Sequence, residues 1–251
     1  MRYFLKLSYL GAPFHGWQSQ PNAVSVQQTV EEALATILRV PAPVTGAGRT
    51  DTGVNARVMY AHFDTDSPIK DTRRLLQGMN RLCGPAVTLQ ELIPVHDDAH
   101  ARFDATSRTY KYFVTFEKSP FLAPLSWHSP SELDTDAMNK GAEVLLDTED
   151  FTSFAKLHSD AKTNICKVTA AHWDEWHNDY GTSGIVFTIT ADRFLRNMVR
   201  AVVGTLADMG RGKLSVDGLR EIIDRKDRCS AGTSMPPQAL FLWDISYPYI
   251  K

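Results

Sequence analysis

Apolar and polar positions along this chain switch repeatedly between a two-residue and a helical period. Arg2–Tyr9 alternates, carries Lys6 and reads as a first strand. Leu10–Val24 is rich in Gly, Pro and Asn and reads as loop. Ser25 followed by Gln28 has capping-box spacing, and Val26, Val30, Ala33, Leu34 and Ile37 mark one apolar helical face. A glycine-rich loop leads to a strand at Val58–Thr65. Asp71 opens a helix with Leu75, Leu76, Met79 and Leu82 inward, and Val87–Val95 reads as another strand. In the second half Arg108–Phe116 alternates, with Tyr110, Tyr112, Val114 and Phe116 on one face. Asp134 caps a helix carrying Met138, Val144 and Leu145. Strands follow at Lys167–Trp176 and Ile185–Ala191. A helix through Phe194–Asp208 packs Leu195, Met198, Val199, Val202 and Leu206. Ser215 caps another with Leu219, Ile222 and Ile223, and a strand near Leu240–Tyr247 closes the chain. The two halves share this order of strands and helices. The expected fold is α+β: two tandem similar lobes, residues 1–105 and 106–251, each an antiparallel sheet with helices on one face, around a central cleft.

Composition narrows the class. At 251 residues, with 43% hydrophobic and 22% charged residues, the chain can bury a substantial core. No apolar run approaches a membrane span, and the opening MRYFLKLSYLG reads as a strand and not a signal peptide. Cys83, Cys166 and Cys229 are odd in number and far apart, which argues against disulfides and a zinc site and for a reducing cytoplasm. The net charge of −2 does not announce a polyanion binder, but its distribution is uneven. From Arg193 to Arg228 there are nine basic and five acidic residues; from Ser129 to Phe151, seven acidic and one basic. Local potential, not total charge, steers a polyanion, although ordinary surface variation produces the same counts.

The candidate chemistry is concentrated in Gly46–Ala56, GAGRTDTGVNA. Asp51 lies between Arg49 and Arg57, among Gly46, Gly48 and Gly53. Glycines permit sharp turns and close ligand approach, and flanking guanidinium groups favour the charged carboxylate. The run reads as a rigid loop presenting one nucleophile or base to something phosphate-rich; a tight turn with a surface salt bridge has the same letters. Arg193, Arg196 and Arg200 fall at i, i+3 and i+7, one face of the expected helix, and suit either successive phosphates or a solvated basic stripe. In Arg108-Thr109-Tyr110-Lys111-Tyr112, tyrosines interleaved with cations suit base stacking with phosphate contact. Taken singly, a tyrosine such as Tyr110 is more often a strand-core residue whose hydroxyl finds a partner.

Gly46–Ala56 closely resembles the signature loop of the TruA family of tRNA pseudouridine synthases. Five further segments resemble that family's motifs in order: Gly16-Trp17-Gln18-Ser19-Gln20 with Val26-Gln27; Ala101-Arg102-Phe103-Asp104-Ala105 followed by Arg108–Tyr112; Asp150-Phe151-Thr152-Ser153-Phe154; Phe194-Leu195-Arg196-Asn197-Met198-Val199-Arg200; and Ala231 with Pro236-Pro237. The resemblance runs from Tyr9 to about Tyr247. It implies two α+β lobes in tandem, a homodimer, a cytoplasmic enzyme without a membrane segment, and tRNA as the partner. The implied reaction isomerises uridine to pseudouridine in the anticodon stem-loop, around tRNA positions 38 to 40. Nothing is oxidised or added, so neither cofactor nor metal is expected.

By the same resemblance, the catalytic aspartate falls on Asp51 and the active-site tyrosine on Tyr110, which stacks on the extruded uracil. Arg200 pairs with Asp51. Arg49 helps it or fills the gap left by the flipped nucleotide, and Leu240 lines the base pocket; Arg193 and Arg196, by their spacing alone, are the candidates for backbone phosphates. The chain departs from the family pattern at Asn55 (usually His), Thr52 (usually Ala), Leu10 (usually Asp) and Ala239 (usually Gly). Two other classes compete: a tRNA-binding protein or RNA chaperone on this scaffold, and a glycoside-processing enzyme acting on free nucleosides. Retention of Asp51, Tyr110 and Arg200 argues against the first, and the long basic face against the second.

Overall fold

The computed structural model describes residues 1–157, 162–177, 179 and 181–250. The chain is a mixed α+β protein that falls into two compact units, Met1–Thr106 with Leu242–Lys251, and Ser107–Phe241.

In the first unit, β1 (Arg2–Tyr9) is flanked by β3 (Asn55–Asp64) and β4 (Val87–Val95), both antiparallel to it. The two-residue β2 (Thr45–Gly46) pairs with β3. Period-two alternation puts Tyr3, Leu5, Leu7 and Tyr9 on one face of β1 and Phe4 on the other. Phe4 gathers a ring cluster from Tyr60, His62, Tyr247 and Tyr249, with centroids 5.3–6.4 Å away. Helix α1 (Val26–Leu38) starts where Ser25 Oγ accepts the Gln28 amide, and buries Val26, Val30, Ala33 and Leu34. Only this half of the expected capping box forms, because the Gln28 side chain turns to Glu32. Asp71 caps α2 (Thr72–Leu82) as its spacing predicts, with Leu75 and Met79 buried and Leu82 exposed.

In the second unit, β8 (Ser183–Ala191) lies between β5 (Ser107–Thr115) and β7 (Val168–His177), again antiparallel. The two-residue β6 (Trp127–His128) runs parallel to β5. Tyr112, Phe187 and Trp173 stand in one cross-strand row and are all buried. Helix α3 (Thr135–Val144), capped by Asp134, docks on β7 through Asn139, whose amide both accepts from Trp173 N–H and donates to Trp173 C=O. Helix α4 (Met198–Gly210) is buried along almost its whole length, and α5 (Val216–Arg225) is capped by Ser215. Strand β9 (Leu240–Ser246) begins in this unit, and from Leu242 onward it runs beside β3 in the first.

Here one expectation fails. The helix expected from Phe194 starts only at Met198, because Asn197 adopts a left-handed conformation (φ 66°) that a continuous helix cannot contain. Arg193 and Arg196 therefore lie on an irregular turn before the helix, and the three arginines do not form a helical stripe.

Candidate active site

The Asp51 loop is fixed from several sides within the first unit. It leaves the sheet through the β2–β3 pairing and an Ala47 N–H to Tyr60 C=O bond of 2.8 Å. Buried Thr50 is held twice: its carbonyl accepts Trp17 N–H (3.2 Å), and its hydroxyl shares a 2.8 Å bond with the Tyr9 hydroxyl. The Trp17 amide reaches that carbonyl because Gly16, at φ +89°, brings its backbone alongside. A Cβ on Gly16 would lie 2.5 Å from the Thr50 oxygen, so no other residue fits unstrained. Past Asp51 the chain reverses through left-handed Gly53, closed by Val54 N–H to Asp51 C=O (3.1 Å). Asn55 is buried, and its side-chain oxygen accepts Gly11 N–H at 2.8 Å. An imidazole nitrogen could do the same job, which makes Asn55 a tolerable departure.

The result is a half-buried Asp51 at the head of a turn, preceded by buried Thr50 and followed, after exposed Thr52, by buried Val54 and Asn55, with Arg49 exposed beside it. Arg57 is engaged elsewhere: its guanidinium lies 4.9 Å from the Trp243 ring centroid, with Nη1 3.5 Å from the Trp243 carbonyl. Thr52 and Leu10 are exposed, so their departures leave this scaffold intact.

Tyr110, Arg193, Arg196, Arg200 and Leu240 belong to the second unit. Half-buried Tyr110 sits on β5 opposite Ile189, with the Phe194 ring edge-on at 5.0 Å. Arg200, in the first turn of α4, donates from Nε to the Met235 carbonyl (2.5 Å), while Met235 N–H donates to the Arg200 carbonyl (3.1 Å). The Tyr112 hydroxyl donates to Pro236 C=O at 3.0 Å. Burial raises this phenol well above its ordinary range, and the positive charge of Arg200 opposes that rise. Arg193 donates to Thr163 C=O (3.2 Å), and exposed Arg196 accepts Lys156 N–H at its carbonyl. Leu240 is buried at the start of β9, directly after fully buried Ala239.

Electrostatics narrow the basic region that the sequence suggests. Arg211, Arg220, Arg225 and Lys226 pair with Asp208, Asp217, Glu221 and Asp150 at 2.9–3.2 Å. The other basic residues of that region are Arg193, Arg196, Arg200, Lys213 and Arg228. Burial pushes the Cys83 thiol up to about 11 and Cys166 up to about 12, so neither supplies a thiolate near neutral pH. Among the described residues, no cluster of His, Cys, Asp or Glu is placed to hold a metal ion, and no helix is long and apolar enough to cross a membrane.

Residues that the sequence alone did not single out include Tyr9, Gly16 and Trp17, which brace the Asp51 loop, and Phe194, Ser234 and Met235 in the second unit. Gly16 and Trp17 stand in a recognisable motif, but their bracing role requires a long-range contact that no local pattern records.

A family model described as tRNA pseudouridine synthase matches residues 142–248. The tRNA pseudouridine synthase A of Parabacteroides distasonis is 54% identical over 247 residues, 98% of this chain and 96% of that protein. The enzyme of the same name from Bacteroides fragilis is 51% identical, again over 98% and 96%, and that from Colwellia psychrerythraea 38%, over 99% and 94%. Against solved structures, RNA-bound Cse3 of Thermus thermophilus superposes with a TM-score of 0.24 and 9% identity over 98% of this chain and 100% of that one, too low to bear on the fold. With relatives this similar along nearly its whole length, the chain belongs to the TruA family of tRNA pseudouridine synthases, which are RNA-uridine isomerases.

Proposed function

We propose that this chain converts uridine to pseudouridine in the anticodon stem-loop of tRNA, at positions 38 to 40, with Asp51 as the catalytic nucleophile. The observation that carries the reading is the Asp51 loop: a single carboxylate in a glycine turn, between Thr50, held by bonds from Tyr9 and Trp17, and Asn55, held by one from Gly11. Such pre-organisation holds a reacting group at its target without reorganisation during the step. The target uridine leaves the stack at a cost of a few kcal/mol. Asp51 promotes cleavage of the C1′–N1 bond, by adding to C1′ or by drawing a proton from the sugar. The freed uracil turns, C5 bonds to C1′, and the proton displaced from C5 leaves while N1 gains one, so no net atom or electron is exchanged. Tyr110 stacks on the uracil and serves as the base for the C5 proton. Arg200 pairs with Asp51 and keeps it charged and aimed, Arg49 occupies the space of the flipped nucleotide, and Leu240 lines the base pocket. Arg193 and Arg196 meet backbone phosphates. The lobed arrangement and central cleft that the resemblance implies, the homodimer and the cytoplasmic location belong to the same proposal, and no metal or cofactor takes part.

The test is Asp51→Ala with unmodified tRNA. Product formation falls by at least about a thousandfold, while tRNA affinity stays within a few-fold, since a carboxylate repels phosphate. Substantial residual turnover overturns the assignment of the nucleophile, and tRNA binding without product in the wild-type chain favours an RNA chaperone.

A further inference from the structure

The second unit carries a hydrogen-bonded set at the start of α4. Asn197 occupies the N-cap position of α4 but makes no capping bond. In a left-handed conformation that asparagine tolerates better than most residues, it donates its side-chain amide to Ser234 Oγ at 2.6 Å. The same oxygen receives Arg228 Nη2 at 2.7 Å. Ser234 directly precedes Met235, whose carbonyl and amide form the reciprocal pair with Arg200. The strand of loop containing them lies hard against α4: a Cβ on Gly204 would meet Thr233 O at 1.9 Å, and Gly232 N–H bonds Thr205 Oγ1 at 2.9 Å.

We propose that Asn197 and Ser234 are positioning residues: by anchoring Ser234 through its Oγ they hold the adjoining Met235, whose carbonyl binds Arg200 Nε, and so aim the other edge of that guanidinium before substrate arrives. This rests on the role given to Arg200 above. A planar guanidinium bonded at Nε has its plane set by that acceptor. Asn197 thus gives up a helix cap, an interaction it is well suited to make, in favour of a bond that serves the arginine three residues on.

The experiment measures pseudouridine formation on unmodified tRNA by the full chain, with melting curves alongside. Asn197→Gly keeps the left-handed backbone and removes the amide; Ser234→Ala removes the acceptor; Ser234→Thr retains it. Asn197→Gly and Ser234→Ala lower kcat by about ten- to a hundredfold with KM for tRNA within twofold, and Ser234→Thr recovers most of the loss. In an Arg200→Lys background, which lacks Nε in this geometry, Ser234→Ala costs nothing further. Wild-type kcat in both Asn197→Gly and Ser234→Ala, losses that multiply in the Arg200→Lys background, or loss of the fold in both single variants overturns the proposal. Arg200→Ala separates the two levels. An active Arg200→Ala defeats the role of the arginine itself, whereas an inactive one beside unaffected Asn197→Gly and Ser234→Ala defeats only its positioning by this set.

Discussion

The Asp51 loop of the first unit and the 192–200 segment of the second carry the two halves of the proposed chemistry, and they are built in opposite ways. The Asp51 loop is determined by shape. Gly16 admits the Thr50 carbonyl, Gly53 turns the chain, and buried bonds from Tyr9 and Gly11 close the frame. The 192–200 segment is determined by polar bonds to distant residues. Asp192 Oδ1 accepts Lys167 and Arg193 amides, Arg193 reaches Thr163, and Asn197 reaches Ser234. A site that must hold one carboxylate still is served by steric constraint, which cannot rearrange cheaply. In the 192–200 segment the hydrogen bonds reach the cations themselves: Arg193 and Arg200 are half-buried with their guanidinium groups on carbonyls, and Arg196 is exposed.

The largest test of this contrast is to add one methyl group beside each region, on α4 just past the 192–200 segment and on the Gly16 brace of the Asp51 loop. Gly204→Ala drives a Cβ to 1.9 Å from the Thr233 carbonyl and is expected to cost about 3–5 kcal/mol, because backbone on both sides must move. Gly16→Ala combines φ +89° with a 2.5 Å approach to Thr50 O, for about 3 kcal/mol. Gly48→Ala, in the Asp51 loop itself and with nothing within 4 Å, is the control and stays within about 0.5 kcal/mol. Urea denaturation of the three variants checks the order. A Gly16→Ala chain as stable as Gly48→Ala breaks the claim that shape fixes the Asp51 loop.

A more graded response comes from pH, and it acts on the first unit. His62 pairs with Thr45 at the foot of the Asp51 loop, and its Nδ1 accepts Ala101 N–H. Burial, reinforced by the Arg2 and His100 charges, lowers its pKa to about 4. The folded-state value lies below the ordinary 6.5, so the unfolded chain binds the proton first. The stability that His62 contributes is complete above about pH 6.5 and is lost as pH falls toward 4. His62→Asn keeps an acceptor for Ala101 without the titration and flattens the fall in urea midpoint over that window. An unchanged profile places the acid sensitivity elsewhere. Smaller again, Tyr9→Phe removes one buried hydroxyl from Thr50 and costs about 1–2 kcal/mol in denaturation, with loss of kcat where the loop loosens.

What the sequence reveals divides along the same line. The caps at Ser25, Asp71, Asp134 and Ser215 were legible, since each is a side chain meeting an amide three residues on. The seven longer strands were legible, β1 and β5 from alternation and β3 only from Val58 onward, whereas β2 and β6, at two residues each, have no period to read. Asp51 stood out because glycines and arginines cluster around it. The start of α4 was misread for a physical reason: Leu195 and Met198 are both buried and keep a helical spacing, while the bond that diverts Asn197 comes from Ser234, 37 residues away. The return of β9 to the first unit, and the engagement of Arg57 by Trp243, 186 residues on, are likewise matters of tertiary partnership.

The smallest expected effect concerns Arg196, and it tests the other side of the comparison. Arg196 is exposed on the turn before α4, its carbonyl engaged by Lys156 N–H, whereas the Arg193 guanidinium also binds Thr163 C=O. Arg196 is an exposed position, so its replacement by Ala is expected to shift the melting temperature little. If the side chain meets a phosphate, tRNA binding weakens severalfold, and the slope of log affinity against log salt shrinks by about 0.7–0.9, the counterion release of one contact. Arg193→Ala adds to that loss a destabilisation of the segment itself, because the guanidinium leaves a carbonyl behind. Binding titrations from low to moderate salt separate the two. An unchanged slope in Arg196→Ala means that this turn serves the fold and not the RNA, and the contrast between a loop built by shape and a segment built to offer charge then fails on its second term.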